Sequence, residues 1–153
     1  MRARNAQTHR RTDAQNESGP QRIAQAPSKR LIDVRGMDAY RRLLAWQHGR
    51  ALAKEIYRLT AAFPREEQFG LVTQLRRAAV SVVANIAEGQ ARRGKAEFAH
   101  ALSIALGSLA EVSALLELAV DLGYVSEAEL CRVQDLRAET SRTTFGLQRT
   151  LRR

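Results

Sequence analysis

The fold class follows from LVTQLRRAAVSVVANIAEG, residues 71–89. Apolar side chains recur there every three or four residues, the spacing that places them on one side of an α-helix. This apolar side consists of Leu71, Leu75, Ala78, Ala79, Val82, Val83 and Ile86. Gly89 belongs to the residue type that commonly follows the last turn of a helix. The pattern therefore predicts a helix over residues 71–88.

Three further helical patterns flank this stretch, at residues 40–62, 95–122 and 126–153. Pro64 ends the first, Gly123 closes the second, and a capping box beginning at Ser126 opens the third. We count Leu44 in the first and Phe145 in the last among the apolar positions. Four amphipathic helices joined by short connections predict an all-α protein, an up-down antiparallel four-helix bundle over residues 37–153.

The composition agrees with one helical domain. The chain has 153 residues, enough for a single apolar core but short for two. Aromatic residues make up only 5% of it, whereas Ala, Leu, Arg and Glu, which favour helices, are abundant. No internal repeat is evident.

The charge is strongly positive and unevenly distributed. The formal net charge is +9, a balance that attracts polyanions but does not determine a fold. Residues 1–36 carry 8 basic and 3 acidic side chains, net +5, so residues 37–153 carry net +4. About half of the excess thus lies outside the predicted bundle.

Residues 1–36 are rich in Arg, Gln, Asn, Ser and Pro and have no sustained apolar period. We interpret them as a disordered basic N-terminal extension. Three explanations remain open: an arm that binds nucleic acid, an inert leader, or a misassigned start codon with Met37 as the true initiator.

The cysteine and apolar content indicate a cytoplasmic protein. Cys131 is the single cysteine, so the chain can form neither an internal disulfide nor a thiolate metal cluster. We expect Cys131 to be a small core residue. No uninterrupted apolar run has the length of a membrane span, and no secretory signal pattern opens the chain. A membrane is therefore not an expected partner.

A polar stripe runs along the helix predicted over residues 71–88. Its members are Gln74, Arg77, Ser81, Asn85 and Glu88. The next helix offers a matching strip of Glu97, Ala101, Ile104, Ser108 and Glu111, in which the small Gly107 and Ser108 allow close helix approach. We expect Arg76 or Arg77 to pair with Glu88 or Glu111, because unpaired buried carboxylates are costly. A structural network is favoured over a catalytic carboxylate site.

Signals for chemistry are weak elsewhere. Glu97 and His100 form one Glu-x-x-His, whereas di-iron bundles need two together with further carboxylates. No phosphate-binding loop or dinucleotide fingerprint is present. We therefore predict no catalytic residue, no metal, no cofactor and no enzymatic activity.

Basic residues supply the candidate binding site. Arg92, Arg93 and Lys95 crowd the predicted turn before the third helix, and the first helix adds Arg41, Arg42 and Arg50. Such cations, near the free N–H groups of a helix N-terminus, suit phosphate oxygens. A merely solvated turn is the alternative. Few aromatic residues accompany the cations, which disfavours base stacking and favours recognition of backbone and shape.

Six short motifs of the chain occur in an order and spacing that resemble one known family. The chain carries AWQ at 45–47, FP at 63–64, FGL at 69–71, QLRRAAVS at 74–81, NIAEG at 85–89 and GSLAE at 107–111. In this order and spacing they resemble the bacterial four-helix-bundle family that includes proteins encoded by intervening sequences within 23S ribosomal RNA genes. The likeness covers residues 43–125, reaches the fourth helix only by pattern, and excludes residues 1–36.

The resemblance implies an up-down bundle, commonly assembled as a ring-like homopentamer, with no known enzymatic activity. Related accessory proteins of diversity-generating retroelements engage nucleic acid and a reverse transcriptase. It also implies a motif role, structural in kind, for Gln74, Arg76, Arg77, Ser81, Asn85, Glu88, Gly89, Gly107, Ser108 and Glu111. Gly94 stands where a helix-capping Ser or Thr would be expected.

We therefore predict a non-enzymatic accessory protein that binds structured RNA or DNA with little sequence specificity. The alternative is an oligomeric scaffold for a partner enzyme, such as a reverse transcriptase or an RNA-processing factor, in which the basic charge serves solubility.

Overall fold

The computed structural model describes residues 38–152, which form four α-helices and no strand. The helices are α1 (Leu44–Thr60), α2 (Leu71–Ala91), α3 (Lys95–Asp121) and α4 (Glu127–Leu151). Two short 3₁₀ turns, Ala39–Arg42 and Arg65–Gln68, precede α1 and α2. The predicted extension at residues 1–36 lies outside the described residues.

Each helix packs against two neighbours: α1 against α2 and α4, and α3 against α2 and α4. Short connections make successive helices antiparallel. The predicted all-α four-helix fold is therefore confirmed. The core is aliphatic, and its largest fully buried apolar members are Leu52, Ile56, Leu75, Val82, Ile86, Leu102, Leu109, Val112, Leu116 and Val133.

Helix boundaries follow local chemistry. The predicted capping box is present, since Ser126 Oγ accepts from Glu129 N at 3.4 Å while Ser126 N donates to Glu129 Oε2 at 3.2 Å. Gly123 follows α3 with φ +73, a conformation that favours glycine. The first helix starts later than predicted, because residues 39–42 form a 3₁₀ turn and Leu43 is extended.

Three predicted core positions are wrong. Leu44 is 60% exposed, Phe145 is 53% exposed, and Cys131 is exposed. The buried side of α4 is partly polar, which its apolar pattern does not reveal. Its buried residues are Val133, Thr140, Thr144 and Gln148.

Gln148 explains why α4 can bury a polar side. Its Nε2 donates to the carbonyl oxygen of Ala99 at 3.0 Å and to Ser103 Oγ at 2.7 Å. Because these bonds cross from α4 to α3, they satisfy a buried amide and fix the two helices in register.

The prediction that Gly89 ends a helix is also wrong. Gly89 lies inside α2, and a Cβ placed there would stand 2.6 Å from Ala101 Cβ and 2.7 Å from Phe98 Cδ2. Its small size therefore allows α3 to approach α2. Gly107, expected to have that role, is exposed, and a Cβ there would meet nothing within 4 Å.

Gly89→Ala is expected to lower the free energy of unfolding by about 1 kcal/mol, because an overpacking cost of about 1–3 kcal/mol exceeds the gain in helix propensity. Gly146→Ala is the control, since a Cβ there meets nothing within 4 Å in α4. It should raise stability by roughly 0.5–1 kcal/mol. Guanidinium unfolding followed by circular dichroism measures both, and equal midpoints for the two variants would contradict the close approach.

A buried carboxylate joins α1 to α4. The side chain of Glu55 is 8% exposed, accepts from Arg58 at 2.7 Å and lies 3.4 Å from Arg132 Nε. The hydrogen bond from Arg58 holds the pKa of Glu55 below its ordinary value of 4.5. The contribution of Glu55 to the free energy of unfolding is fully present at pH values above 4.5. It is lost as the pH falls through the lowered pKa of the folded protein.

Among the described helices, α3 alone has the length and apolarity of a membrane span. An 18-residue window of α3 has a mean hydropathy of 1.6. Only 33% of that window is buried inside the bundle. The sequence expectation missed this because polar residues interrupt the apolar runs. Leu102, Leu109 and Leu116 are core residues, so part of this apolarity serves the bundle and part faces outward.

Candidate nucleic-acid interface

The bundle gathers three segments at one end. Gln148 of α4 bonds to Ala99 near the start of α3, and His48 Nδ1 of α1 lies 3.4 Å from Thr143 Oγ1. Gly89, near the end of α2, packs against the first turns of α3. We call this end, residues 38–50, 88–100 and 142–152, the basic end.

The basic end carries most of the cations of the bundle. It has nine lysine or arginine side chains against three carboxylates. The cations are Arg41, Arg42, Arg50, Arg92, Arg93, Lys95, Arg142, Arg149 and Arg152. The carboxylates are Asp38, Glu88 and Glu97. Glu139, one turn before this end on α4, pairs with Arg142.

The opposite end has the reverse balance. Residues 58–67 and 117–135, which we call the acidic end, hold seven carboxylates against three arginines. A hydrogen bond at 3.3 Å between Tyr124 Oη and Glu67 Oε1 joins these two segments. The bundle therefore has a charge dipole along its axis, and a polyanion is attracted to one end of it.

The turn between α2 and α3 is less basic than its sequence suggests. Arg92 is hydrogen-bonded to Glu88, and its Nη1 lies 3.9 Å from Glu97 Oε1. These partners, Glu88 foremost, raise the pKa of Arg92. The structure thus pairs Arg92 within the protein, while Arg93 and Lys95 remain exposed.

Gly94 is the N-cap of α3 and provides no side-chain cap. The first N–H groups of α3 are therefore left for another acceptor, as helix N-termini generally leave them. These N–H groups belong to Lys95 and the residues that follow it, next to Arg93 in the chain, so a phosphate oxygen bound there would meet both charge and N–H donors.

The first-helix candidates lie at the same end. Arg41 pairs with Asp38 at 3.3 Å, and Arg42 is exposed. Arg50 lies over the ring of Trp46, with its Cζ 5.7 Å from the centroid. The structure thus brings together the six basic residues that the sequence singled out.

Sequence reasoning missed three members of the basic end, Arg142, Arg149 and Arg152. These residues are far from the α2–α3 turn in the chain. They could have been predicted from the up-down topology, because it places the end of α4 next to the start of α1.

The polar stripe on α2 forms hydroxyl and amide contacts. Ser81 Oγ and Ser108 Oγ lie 2.8 Å apart across α2 and α3, and Asn85 Nδ2 donates to the Ser81 carbonyl oxygen at 2.8 Å. The expected pairing of Arg76 or Arg77 with Glu88 or Glu111 is wrong. Arg76 instead donates to Thr60 Oγ1 at 2.8 Å and lies over the Tyr57 ring.

The remaining motif residues line a hollow rather than a buried network. Gln74, Arg77 and Glu111 are exposed and surround a cavity of about 550 Å³ next to Tyr57. In residues 38–152 no group of three or more His, Cys, Asp or Glu side chains could hold a metal ion.

A family model described as 23S rRNA-intervening sequence protein matches residues 41–146. The chain belongs to the 23S rRNA-intervening sequence protein family. The match covers most of the described bundle, including both motif-bearing helices, and it confirms the resemblance drawn from the motifs.

A solved structure supports the fold of this family member. It is a protein with unknown function from the S23 ribosomal protein family of Bacteroides thetaiotaomicron VPI-5482, with a TM-score of 0.64 and 23% sequence identity. The alignment covers 69% of this chain and 95% of that chain. At this identity the likeness concerns the fold. No curated protein matches the chain.

Proposed function

We propose that this protein is a non-enzymatic accessory protein of the cytoplasm that binds structured RNA or DNA through its basic end. The observation that carries the proposal is the segregation of nine cations against three carboxylates at that end. Exposed arginine and lysine side chains contact phosphates irrespective of base sequence. Membership in a family named for an rRNA intervening sequence agrees with such a ligand.

The test uses the purified full-length chain and a labelled duplex. Nucleic acid that co-purifies should raise the absorbance at 260 nm relative to 280 nm until a nuclease removes it. The logarithm of affinity should fall against the logarithm of salt concentration with a slope of about −3.6 or steeper, which corresponds to roughly four phosphate contacts. An affinity independent of salt would contradict the proposal.

We further propose that the bundle assembles head to tail, as the ring-like homopentamer that the family resemblance implies. Support comes from two different apolar faces. One is an exposed stripe on α3 that includes Ile104 and Leu118, which are 44% and 46% exposed. The other is a hollow of about 700 Å³ between α1 and α2. It is lined by Tyr40, Trp46, Arg50, Ala53, Lys54, Tyr57, Val80, Val83, Ala84 and Ala87.

The charges of the two faces are complementary. Glu111 lies on α3 between Ile104 and Leu118, whereas Arg50 and Lys54 border the hollow. A contact between two unlike faces is heterologous, and such contacts form a ring when the rotation from one subunit to the next closes on itself. A ring would repeat the basic end in every subunit and multiply weak phosphate contacts.

These apolar faces also favour the second candidate, a scaffold for a partner enzyme such as a reverse transcriptase or an RNA-processing factor. The nuclease step separates the two functions. A partner protein that remains bound after nuclease treatment favours the scaffold, whereas complexes that fall apart with the nucleic acid favour direct binding.

A further inference from the structure

Two aromatic rings meet within the basic end. Tyr40 from the 3₁₀ turn and Trp46 from the first turn of α1 form an edge-to-face pair, with centroids 4.9 Å apart and planes at 64°. Arg41 Cζ lies 5.9 Å from the Tyr40 centroid, and Arg50 Cζ lies 5.7 Å from the Trp46 centroid. The composition disfavoured base stacking, but folding places these two aromatic residues among the cations.

The rings border a hollow of about 560 Å³, within the size range of small-molecule sites. Its lining consists of Tyr40, Arg41, Trp46, Gln47 and Arg50. Tyr40, Trp46 and Arg50 also line the hollow proposed for the subunit contact, whereas Arg41 and Gln47 do not. Gln47 Nε2 donates to the Arg41 carbonyl oxygen at 2.9 Å, which fixes the amide. The same amide carries Oε1, which can accept a hydrogen bond from a donor on a planar ligand.

The chemistry of the lining selects one ligand class. Aromatic faces favour a flat ring, while Arg41 and Arg50 repel cationic ligands and attract anions. A group that is flat and also bears a negative charge satisfies both, and a nucleotide is such a group. A base can stack on the rings while its phosphate meets a guanidinium.

We propose that this hollow takes a single unpaired nucleotide, so that the protein prefers duplexes with a single-stranded tail or bulge over blunt duplexes. The proposal rests on the proposed function, because the basic end must first hold the duplex. The hollow then adds one stacked base to the phosphate contacts. Stacking of one base is expected to tighten binding by about tenfold.

Trp46 is the only tryptophan in the chain, so intrinsic tryptophan fluorescence reports directly on the hollow. The probes are a blunt RNA duplex, the same duplex with a short single-stranded tail, and a version whose tail is abasic. The tailed duplex should quench the emission and bind at least about tenfold more tightly than the blunt one. The abasic tail keeps the phosphates but lacks bases, so it should leave the emission unquenched and bind about tenfold more weakly than the tailed duplex.

Tyr40→Leu should abolish the difference of about tenfold in affinity between the tailed duplex and the duplex with the abasic tail. Phe69→Leu is the matched control, because Phe69 is 91% exposed beside the acidic end, and it should keep the tenfold preference. Equal binding of blunt and tailed duplexes without quenching would overturn the proposal that the hollow binds a nucleotide, and it would leave the proposed function standing. Failure of both duplexes to bind would overturn the proposed function as well. Quenching and tight binding by the abasic tail would overturn stacking.

Discussion

Replacing Arg93 and Lys95 together by glutamate is expected to weaken duplex binding by roughly 60-fold at about 0.1 M salt. These residues flank Gly94 at the start of α3 and are exposed. Each lost phosphate contact reduces the salt dependence by about 0.9, so the slope should become shallower by about 2. Fluorescence anisotropy of a labelled duplex over a series of salt concentrations measures both quantities.

Two matched single substitutions distinguish the effect of where a charge lies from the effect of the net charge of the chain. Arg93→Glu and Arg65→Glu change the charge of the chain equally, but Arg65 lies at the acidic end. Arg93→Glu alone should weaken binding by roughly 8-fold, while Arg65→Glu should leave the slope unchanged. Equal losses for the two variants would mean that total charge, rather than the basic end, determines binding.

Ile104→Arg is expected to convert the oligomer into monomers. Ile104 is 44% exposed on α3, and an arginine there would face Arg50 and Lys54 of the next subunit across the proposed contact. Loss of the ring should weaken duplex binding by at least about 100-fold, the lower range of multivalent enhancement. A decrease in affinity would be informative, because the added positive charge by itself would strengthen binding to a duplex.

Light scattering coupled to size-exclusion chromatography measures the mass, and anisotropy measures the affinity. Phe145→Arg is the control, since Phe145 is 53% exposed on α4, away from both proposed faces. It should leave the assembly intact. A wild-type protein that is already monomeric, or an Ile104→Arg protein that still assembles, would contradict the ring.

The apolar period predicted α2 and α3 to within a few residues, because these helices bury continuous stripes of aliphatic side chains. The start of α4 was predicted by the capping box at Ser126, since its buried side is partly polar. The start of α1 was less accurate, since a 3₁₀ turn has nearly the same local pattern as an α-helix. Gly89 was misassigned for a different reason. A glycine that ends a helix cannot be distinguished by sequence from a glycine that lets two helices approach. The contacts of Gly89 with Phe98 and Ala101 in the folded structure show that it has the second role.

The candidate site was predictable in part. The six basic residues named from the sequence do lie at one end, but the sequence did not reveal that Glu88 and Glu97 pair with Arg92. Pairing on neighbouring helical turns depends on rotamers and on where α2 ends. Tyr40 and Trp46 were similarly undervalued, because a count of aromatic residues ignores that a fold can place two of them side by side.

The position of Cys131 has a practical consequence. Both termini of the bundle leave it at the basic end, so affinity tags fused there would crowd the surface that we assign to nucleic acid. Cys131 is exposed at the acidic end and is the single cysteine of the chain. A maleimide linker at this thiol would immobilise every molecule in one orientation, with the Arg93 surface directed toward the solution and open to incoming ligand.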